Sequence, residues 1–361
     1  HPRGYVRPEK GGAMVEYAAI KNHVTMWNVA VERQIRVKGP DAEKFVDYVI
    51  TRDATKISPM RARYVILCNA YGGVLNDPIL LRISKDEFWF SLSDSDISLY
   101  LQGVNCDGRF NCEIEEIDVS PVQIQGPKSM DVLADVIDGG FPDPWRYFDI
   151  AEVSVLGEPL IITRTGFTNE LGWEFYLRPE NNAELIGEHI MNAGKKYGMV
   201  LAGTPGFRAR RIESGLLSSN NDFTSKTTPF EVGLGRFVHF EKGDFVGKSA
   251  LLNSERKSKI IGLKVKGGIA VKGQIILIDN ENVGVVSSST WSPYLECGVC
   301  IARIDKEELK EGQFINVNSI HGEILKAEIS SLPMYDKDGL ILRGIDQNIP
   351  MKPNPWFEND K

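Results

Sequence analysis

No apolar run in this chain of 361 residues reaches the roughly 18 needed to cross a bilayer, so no membrane-spanning helix is expected. The opening residues, His1-Pro2-Arg3-Gly4-Tyr5, hold no apolar h-region, so no secretory signal is expected and the location reads as cytoplasmic. His1 is no natural start, so earlier residues are expected to precede it. Basic charge is in deficit: Lys plus Arg number 42 against 49 Asp plus Glu, a net charge of −7. Nucleic acid is therefore not the expected partner, although a local arginine cluster can still hold an anion. Cysteine is scarce and odd in number, at five, which fits reduced thiols better than a disulfide scaffold. Cys297-Gly298-Val299-Cys300 has the spacing of half a zinc site. The second half is missing and the stretch is apolar, so packing is expected there and no metal. No coiled-coil repeat or dimer stripe is visible, and a homodimer stays open.

What is present is ordinary globular composition, 42% hydrophobic and 25% charged, at a length that suggests two or three domains. Residues 13–38 open with helical spacing and then alternate like a strand at Arg33 to Val37. Asp41 is placed to cap a helix over Ala42 to Val49. Tyr64 to Cys68, a glycine turn, and Val74 to Ile83 read as a hairpin. Strands then mix with helices without strict alternation, up to a helix over Asn182 to Tyr197 ending near Gly198. This predicts an α+β fold with two related halves. From Ile260 to about Leu332 short apolar runs are broken by glycine, the pattern of a small β-barrel. The expected division is 1–256, 257–337 and an extended tail over 338–361.

Four segments carry the chemistry. Gly72-Gly73-Val74-Leu75-Asn76-Asp77-Pro78 is a tight turn that presents a carboxylate from an apolar strand, with Pro78 interrupting the ladder. An edge-strand Asp capping a turn is the ordinary alternative. Trp173-Glu174-Phe175-Tyr176-Leu177 places Glu174 and Tyr176 on the face opposite Trp173 and Phe175. A solvated outward glutamate is the ordinary reading; a carboxylate gripping paired N–H donors is the functional one. Arg208, Arg210 and Arg211 sit on one helix beginning near Phe207, suited either to solvent and ion pairs or to a carboxylate or polar ring edge. Pro229-Phe230-Glu231-Val232-Gly233-Leu234-Gly235 completes the set.

In this order and spacing the segments resemble the folate-binding aminomethyltransferase family, which includes the T-protein of glycine cleavage and tetrahydrofolate-dependent demethylases. Gln125-Gly126-Pro127, Gly243-Asp244-Phe245-Val246-Gly247-Lys248 and Gly284-Val285-Val286-Ser287-Ser288 extend the resemblance over roughly residues 15 to 337. It implies a three-domain cloverleaf of two interleaved α+β parts and a C-terminal β-barrel, with tetrahydrofolate in a central channel. It implies that Asp77 is the catalytic aspartate near folate N5 and that Tyr64 lines the pterin pocket. Glu174 would hold the pterin and Arg211 would contact the folate. Ser93 stands where glycine-cleavage enzymes usually have asparagine, Phe167 where they have tyrosine, and Asn28 where aspartate is usual; Ser93 and Phe167 would also line the folate site.

Within the family, Trp27-Asn28-Val29-Ala30-Val31-Glu32-Arg33-Gln34 and Ser93-Asp94-Ser95-Asp96 look most like the dimethylsulfoniopropionate demethylases, while Ser218-Ser219-Asn220-Asn221-Asp222 departs from their usual run. The implied reaction moves a methyl group from a small methylated donor to N5 of tetrahydrofolate. Asp77 would stabilise the charge that grows at N5. An aromatic face, from Tyr17, Trp27 or Trp173, would hold a sulfonium by cation–π attraction worth about 2 kcal/mol when desolvated. The alternatives are an aminomethyltransferase served by a lipoyl carrier protein, an aryl-methyl-ether O-demethylase, and a non-catalytic folate-binding regulator.

Overall fold

The computed structural model describes residues 4–93, 95–140, 145–256, 258–278, 281–305 and 309–349. Three β-sheets dominate it. The first has six strands in the order Ile150–Val155, Glu158–Thr163, Gly172–Leu177, Ser120–Gln125, Val24–Asn28 and Met199–Leu201. All its pairings are antiparallel except that of Val24–Asn28 with Met199–Leu201. The second has five antiparallel strands: Arg61–Tyr64, Ile79–Arg82, Glu87–Ser91, Gln34–Lys38 and Glu113–Ile117. The first sheet thus takes one strand from before the second sheet begins and the rest from after it ends. Two α+β parts interleave.

The third sheet runs from residue 259 to 330 in six antiparallel strands and curls into a nearly closed barrel. Its inner face is apolar, with Leu263, Val286, Cys300, Ala302 and Ile304 fully buried. Cys300 therefore packs, and burial pushes its thiol up to about 12.

Each of the first two sheets buries one apolar face under helices. Met26, Ile124, Trp173 and Phe175 pack on the helices Ser129–Val136 and Ala183–Gly194. Ile35, Val37, Phe88 and Phe90 pack on the helix Ala42–Val49. The other two faces look toward each other and meet at Ala62, Leu81, Trp89, Ile161 and Tyr176.

Several boundaries shift from the sequence reading. The stretch after residue 13 is a helix, Ala13–Asn22, followed by a strand, Val24–Asn28. Asp41 makes no cap to its helix; its carboxylate accepts from the Asn111 N–H and from Lys44 instead. Gly198 ends the Ala183–Gly194 helix and its 3₁₀ extension in the left-handed region, as expected. In the tail, residues 338–349 form turns whose Arg343 carbonyl accepts from Arg164, while Pro350, Pro353 and Pro355 lie outside the described residues. No helix among the described residues is long and apolar enough to cross a membrane.

Candidate active site

Asp77 occupies a break. The hairpin splits into the short pair Leu67–Cys68 with Val74–Asn76 and the longer pair Arg61–Tyr64 with Ile79–Arg82, and Asp77-Pro78 lies between them. Pro78 has no N–H for the ladder, so the chain leaves one sheet and enters the next there. The turn needs its glycines: Gly72 has φ +83, and a Cβ on Gly73 would lie 1.9 Å from the Ser225 carbonyl oxygen. The Tyr64 hydroxyl donates to Asp77 Oδ2 at 2.7 Å and the Ser93 hydroxyl donates to Oδ1 at 2.7 Å. Each carboxylate oxygen is thereby aimed. Burial, and then the Asp77 charge, push the Tyr64 hydroxyl well above its usual range. The Tyr64 ring stands edge-on to Phe237 at 5.1 Å.

Glu174 is only 4% exposed and lies on the opposite sheet. Cross-strand register puts Trp27, Gln123, Glu174 and Thr163 in one row on one face. Gln123 Nε2 donates to Glu174 Oε1 at 2.5 Å; Thr165 and Tyr176 donate to Oε2, the latter at 3.1 Å. Burial raises the Glu174 carboxyl above the ordinary glutamate range, and these donors only partly pull it back. Gly166 and Gly172 flank the row because a Cβ on either would lie within 2.4 Å of the Gln125 amide.

The Tyr176 hydroxyl also lies near that of Ser91, at the end of the strand Glu87–Ser91 that leads to Ser93. The Tyr176 ring meets Trp89 edge-on at 6.3 Å. Tyr176 thus stands between Glu174 and the strand end that leads to Ser93, whose hydroxyl holds Asp77.

The remaining sequence candidates separate. Phe167 packs on Phe207 at 5.1 Å, and Phe207 on Trp27 at 5.8 Å, which makes an aromatic wall beside the Glu174 row. Trp173, expected at the donor, is fully enclosed in the core on the other face, against Trp145. Tyr17, also expected there, gives its hydroxyl to Glu213 at 2.7 Å within a buried network of Lys21, Glu170 and Arg210. Arg211 is held by Asp222 at 2.6 Å and by Ser288 at 2.8 Å. Sequence reasoning missed Gln123, Ser91, Thr165 and Phe207. The signal for Gln123 was a glutamine in the otherwise apolar alternation of Val122-Gln123-Ile124. Among the described residues no group of three His, Cys, Asp or Glu side chains could hold a metal.

Residues 1–242 match the family model described as the GCVT N-terminal domain, and residues 259–336 match the glycine cleavage T-protein C-terminal barrel domain. The chain belongs to the glycine cleavage T-protein family. An aminomethyltransferase of Caldanaerobacter subterraneus is 32% identical over 93% of this chain and 91% of its own length. A dimethylsulfoniopropionate demethylase, DmdA, of Ruegeria pomeroyi is 32% identical over 84% of each. The crystal structure of the glycine cleavage system aminomethyltransferase T of Bartonella henselae superposes with a TM-score of 0.81 at 25% identity, covering 90% of both chains. T-protein family members are folate-dependent one-carbon transferases, and tetrahydrofolate is the family's cofactor.

A reduced pterin fits the residues present. Its paired N–H donors suit a buried carboxylate with one lightly used oxygen, and Glu174 Oε1 accepts a single bond in the structure. The Gln34 Oε1 acceptor near Ser91 is buried without a hydrogen-bond partner.

Proposed function

We propose that this chain transfers a methyl group from a small methylated donor to N5 of tetrahydrofolate. Bound tetrahydrofolate supplies the nucleophilic N5 lone pair. Glu174 would hold the pterin, and Asp77, fixed by Tyr64 and Ser93, would stabilise the positive charge that grows at N5 as the donor's methyl bond breaks and N5–CH3 forms, before the N5 proton leaves to solvent. A sulfonium or ammonium donor leaves as a neutral group, so no acid is needed at the leaving atom. Alignment then becomes the main contribution of the protein, worth about 7–11 kcal/mol in favourable cases.

The observation that carries this reading is the aromatic wall of Trp27, Phe207 and Phe167 on the face that bears Glu174. Such a wall attracts an onium methyl donor through its ring faces. Dimethylsulfoniopropionate is one donor of that class. We place Asp77 in catalysis, Tyr64, Ser93, Phe167, Glu174 and Arg211 at the folate, and Trp27 at the donor. A homodimer is compatible with this reading.

A second reading is aminomethyl transfer of the glycine-cleavage type, with a lipoyl carrier protein as partner. It is favoured by the relative covering the larger share of the chain, an aminomethyltransferase. A donor panel with tetrahydrofolate, read by mass, separates the two. 5-Methyltetrahydrofolate from an onium donor supports methyl transfer, and 5,10-methylenetetrahydrofolate from the aminomethyl carrier supports the second reading. No folate product from any donor overturns both.

A further inference from the structure

Gln34 is fully buried on the strand Gln34–Lys38, directly opposite Ser91 on the neighbouring strand. Its amide nitrogen donates to the Glu32 carbonyl at 2.6 Å and to the Ser91 hydroxyl oxygen at 2.9 Å. The Glu32 carbonyl can only accept, so the nitrogen must face it and the amide has one orientation. Ser91 lies near Tyr176, and Tyr176 donates onward to Glu174 Oε2 at 3.1 Å.

One atom is left over. Gln34 Oε1 has no hydrogen-bond partner and is closed off from solvent. A glutamine whose two N–H bonds are both used, and whose carbonyl is left unpaired, is costly for folding alone. An apolar side chain or an alanine would have filled the same strand position without that penalty. The unpaired acceptor makes sense as part of a ligand cradle.

We propose that Gln34 binds the reduced pterin, its Oε1 accepting the ring N8–H. The assignment rests on the folate reading above. Glu174 suits the paired donors of the aminopyrimidinone edge, and Asp77 is assigned to N5. N8–H is the ring donor that neither acid uses, and it lies on the edge running from the pyrimidinone side toward the reduced ring. Gln34 lies opposite Ser91 on the sheet face that carries Trp89 toward Tyr176 and the sheet of Glu174, the side such an acceptor needs.

The test is anaerobic titration of the full chain with tetrahydrofolate and with its 8-deaza analogue, in which CH2 replaces N8–H. The wild-type chain is expected to bind the analogue about five- to a hundred-fold more weakly, the effect of leaving a buried acceptor unpaired. Gln34→Met is expected to weaken tetrahydrofolate by a similar factor and to bind both ligands alike. Equal affinity of the wild type for the two ligands overturns the assignment, as does a Gln34→Met chain that keeps the wild-type preference. The wild-type comparison stands alone if Gln34→Met does not fold. A wild type that binds no tetrahydrofolate overturns the folate reading itself, whereas normal binding with no preference overturns Gln34 only.

Discussion

Tyr176 donates its hydroxyl to Glu174 at 3.1 Å from two residues further along the same strand, while its ring reaches the facing sheet at Trp89. The same side chain therefore steadies the buried acid and bridges the two sheets. Removing the acid's charge should be felt at the ligand first. Glu174→Gln keeps the shape but loses charge-assisted bonding, worth about 1.5–3 kcal/mol. Tetrahydrofolate affinity is expected to fall roughly ten- to a hundred-fold, measured by titration under anaerobic conditions.

The same substitution should have the opposite effect on stability. Burial raises the Glu174 carboxyl in the folded chain above its unfolded value of about 4.3. The folded state then holds that proton more tightly than the unfolded state does. Stability therefore falls as pH rises from the unfolded value to the raised folded one, and the penalty stays in place above it. Glu174→Gln is expected to melt higher than the wild type at pH 7–8, with the gap closing as pH drops toward 4. A gap that widens on acidification would contradict the sign.

For Asp77, the expectation is a loss in turnover with little loss in binding. Asp77→Asn retains acceptance from Tyr64 or Ser93 on its carbonyl oxygen but removes the charge that meets the alkylated nitrogen. By analogy with the removal of one electrostatic stabiliser, kcat should drop about 10²–10³-fold. The tetrahydrofolate Kd should stay within a few-fold. Steady-state kinetics with the accepted donor, beside the titration, separates the two quantities.

The sequence made one half of this site legible and hid the other. Period-two alternation was enough to set Glu174 and Tyr176 against Trp173 and Phe175, and the structure has them so. That same alternation argued against Trp173 at the donor, because the Phe175 face is core. The glycine pair before Asp77 was legible as a turn through Gly72, whose φ of +83 favours glycine, whereas the need for glycine at 73 comes from the distant Ser225 carbonyl. Gln123, Ser91 and Phe207 were not legible. Their roles depend on which elements become neighbours, and tertiary packing brings together strands, and for Phe207 a helix, that are distant in sequence. Asp41 failed as a cap for a related reason: Asn111, seventy residues away, takes its carboxylate.

If Phe207 and Trp27 wall the donor space, trimming that wall should alter donor affinity alone. Phe207→Leu preserves bulk but removes one ring face, worth about 0.5–2 kcal/mol toward a desolvated cation. KM for an onium donor should rise roughly three- to thirty-fold while the tetrahydrofolate Kd holds. A neutral methylated donor would show no such change. Equal effects on charged and neutral donors would assign the wall to packing.

The last expectation concerns the buried charges beneath the barrel. Arg210 is fully buried, with Glu170 at 2.8 Å and Glu213 at 3.6 Å, and Lys21 shares Glu170 at 2.6 Å. Tyr335 stacks under the guanidinium at 4.8 Å and its hydroxyl donates to Glu213 at 3.1 Å. Ser292, at the end of a barrel strand, also donates to Glu213, so the network ties the helix Thr204–Ser214 to the barrel. Arg210→Met leaves Glu213 bonded to neutral donors, with Lys21 as a more distant cation, and a buried charge that loses its partner costs about 3–5 kcal/mol. Chemical denaturation of the single variant should show a loss of that order. Adding Glu213→Gln removes the stranded charge, so the double variant should recover a large part of the loss. If the two substitutions instead add, Glu213 does not depend on Arg210, and the tie between helix and barrel rests on other bonds, those of Ser292 to Glu213 and of Arg211 to Ser288 among them.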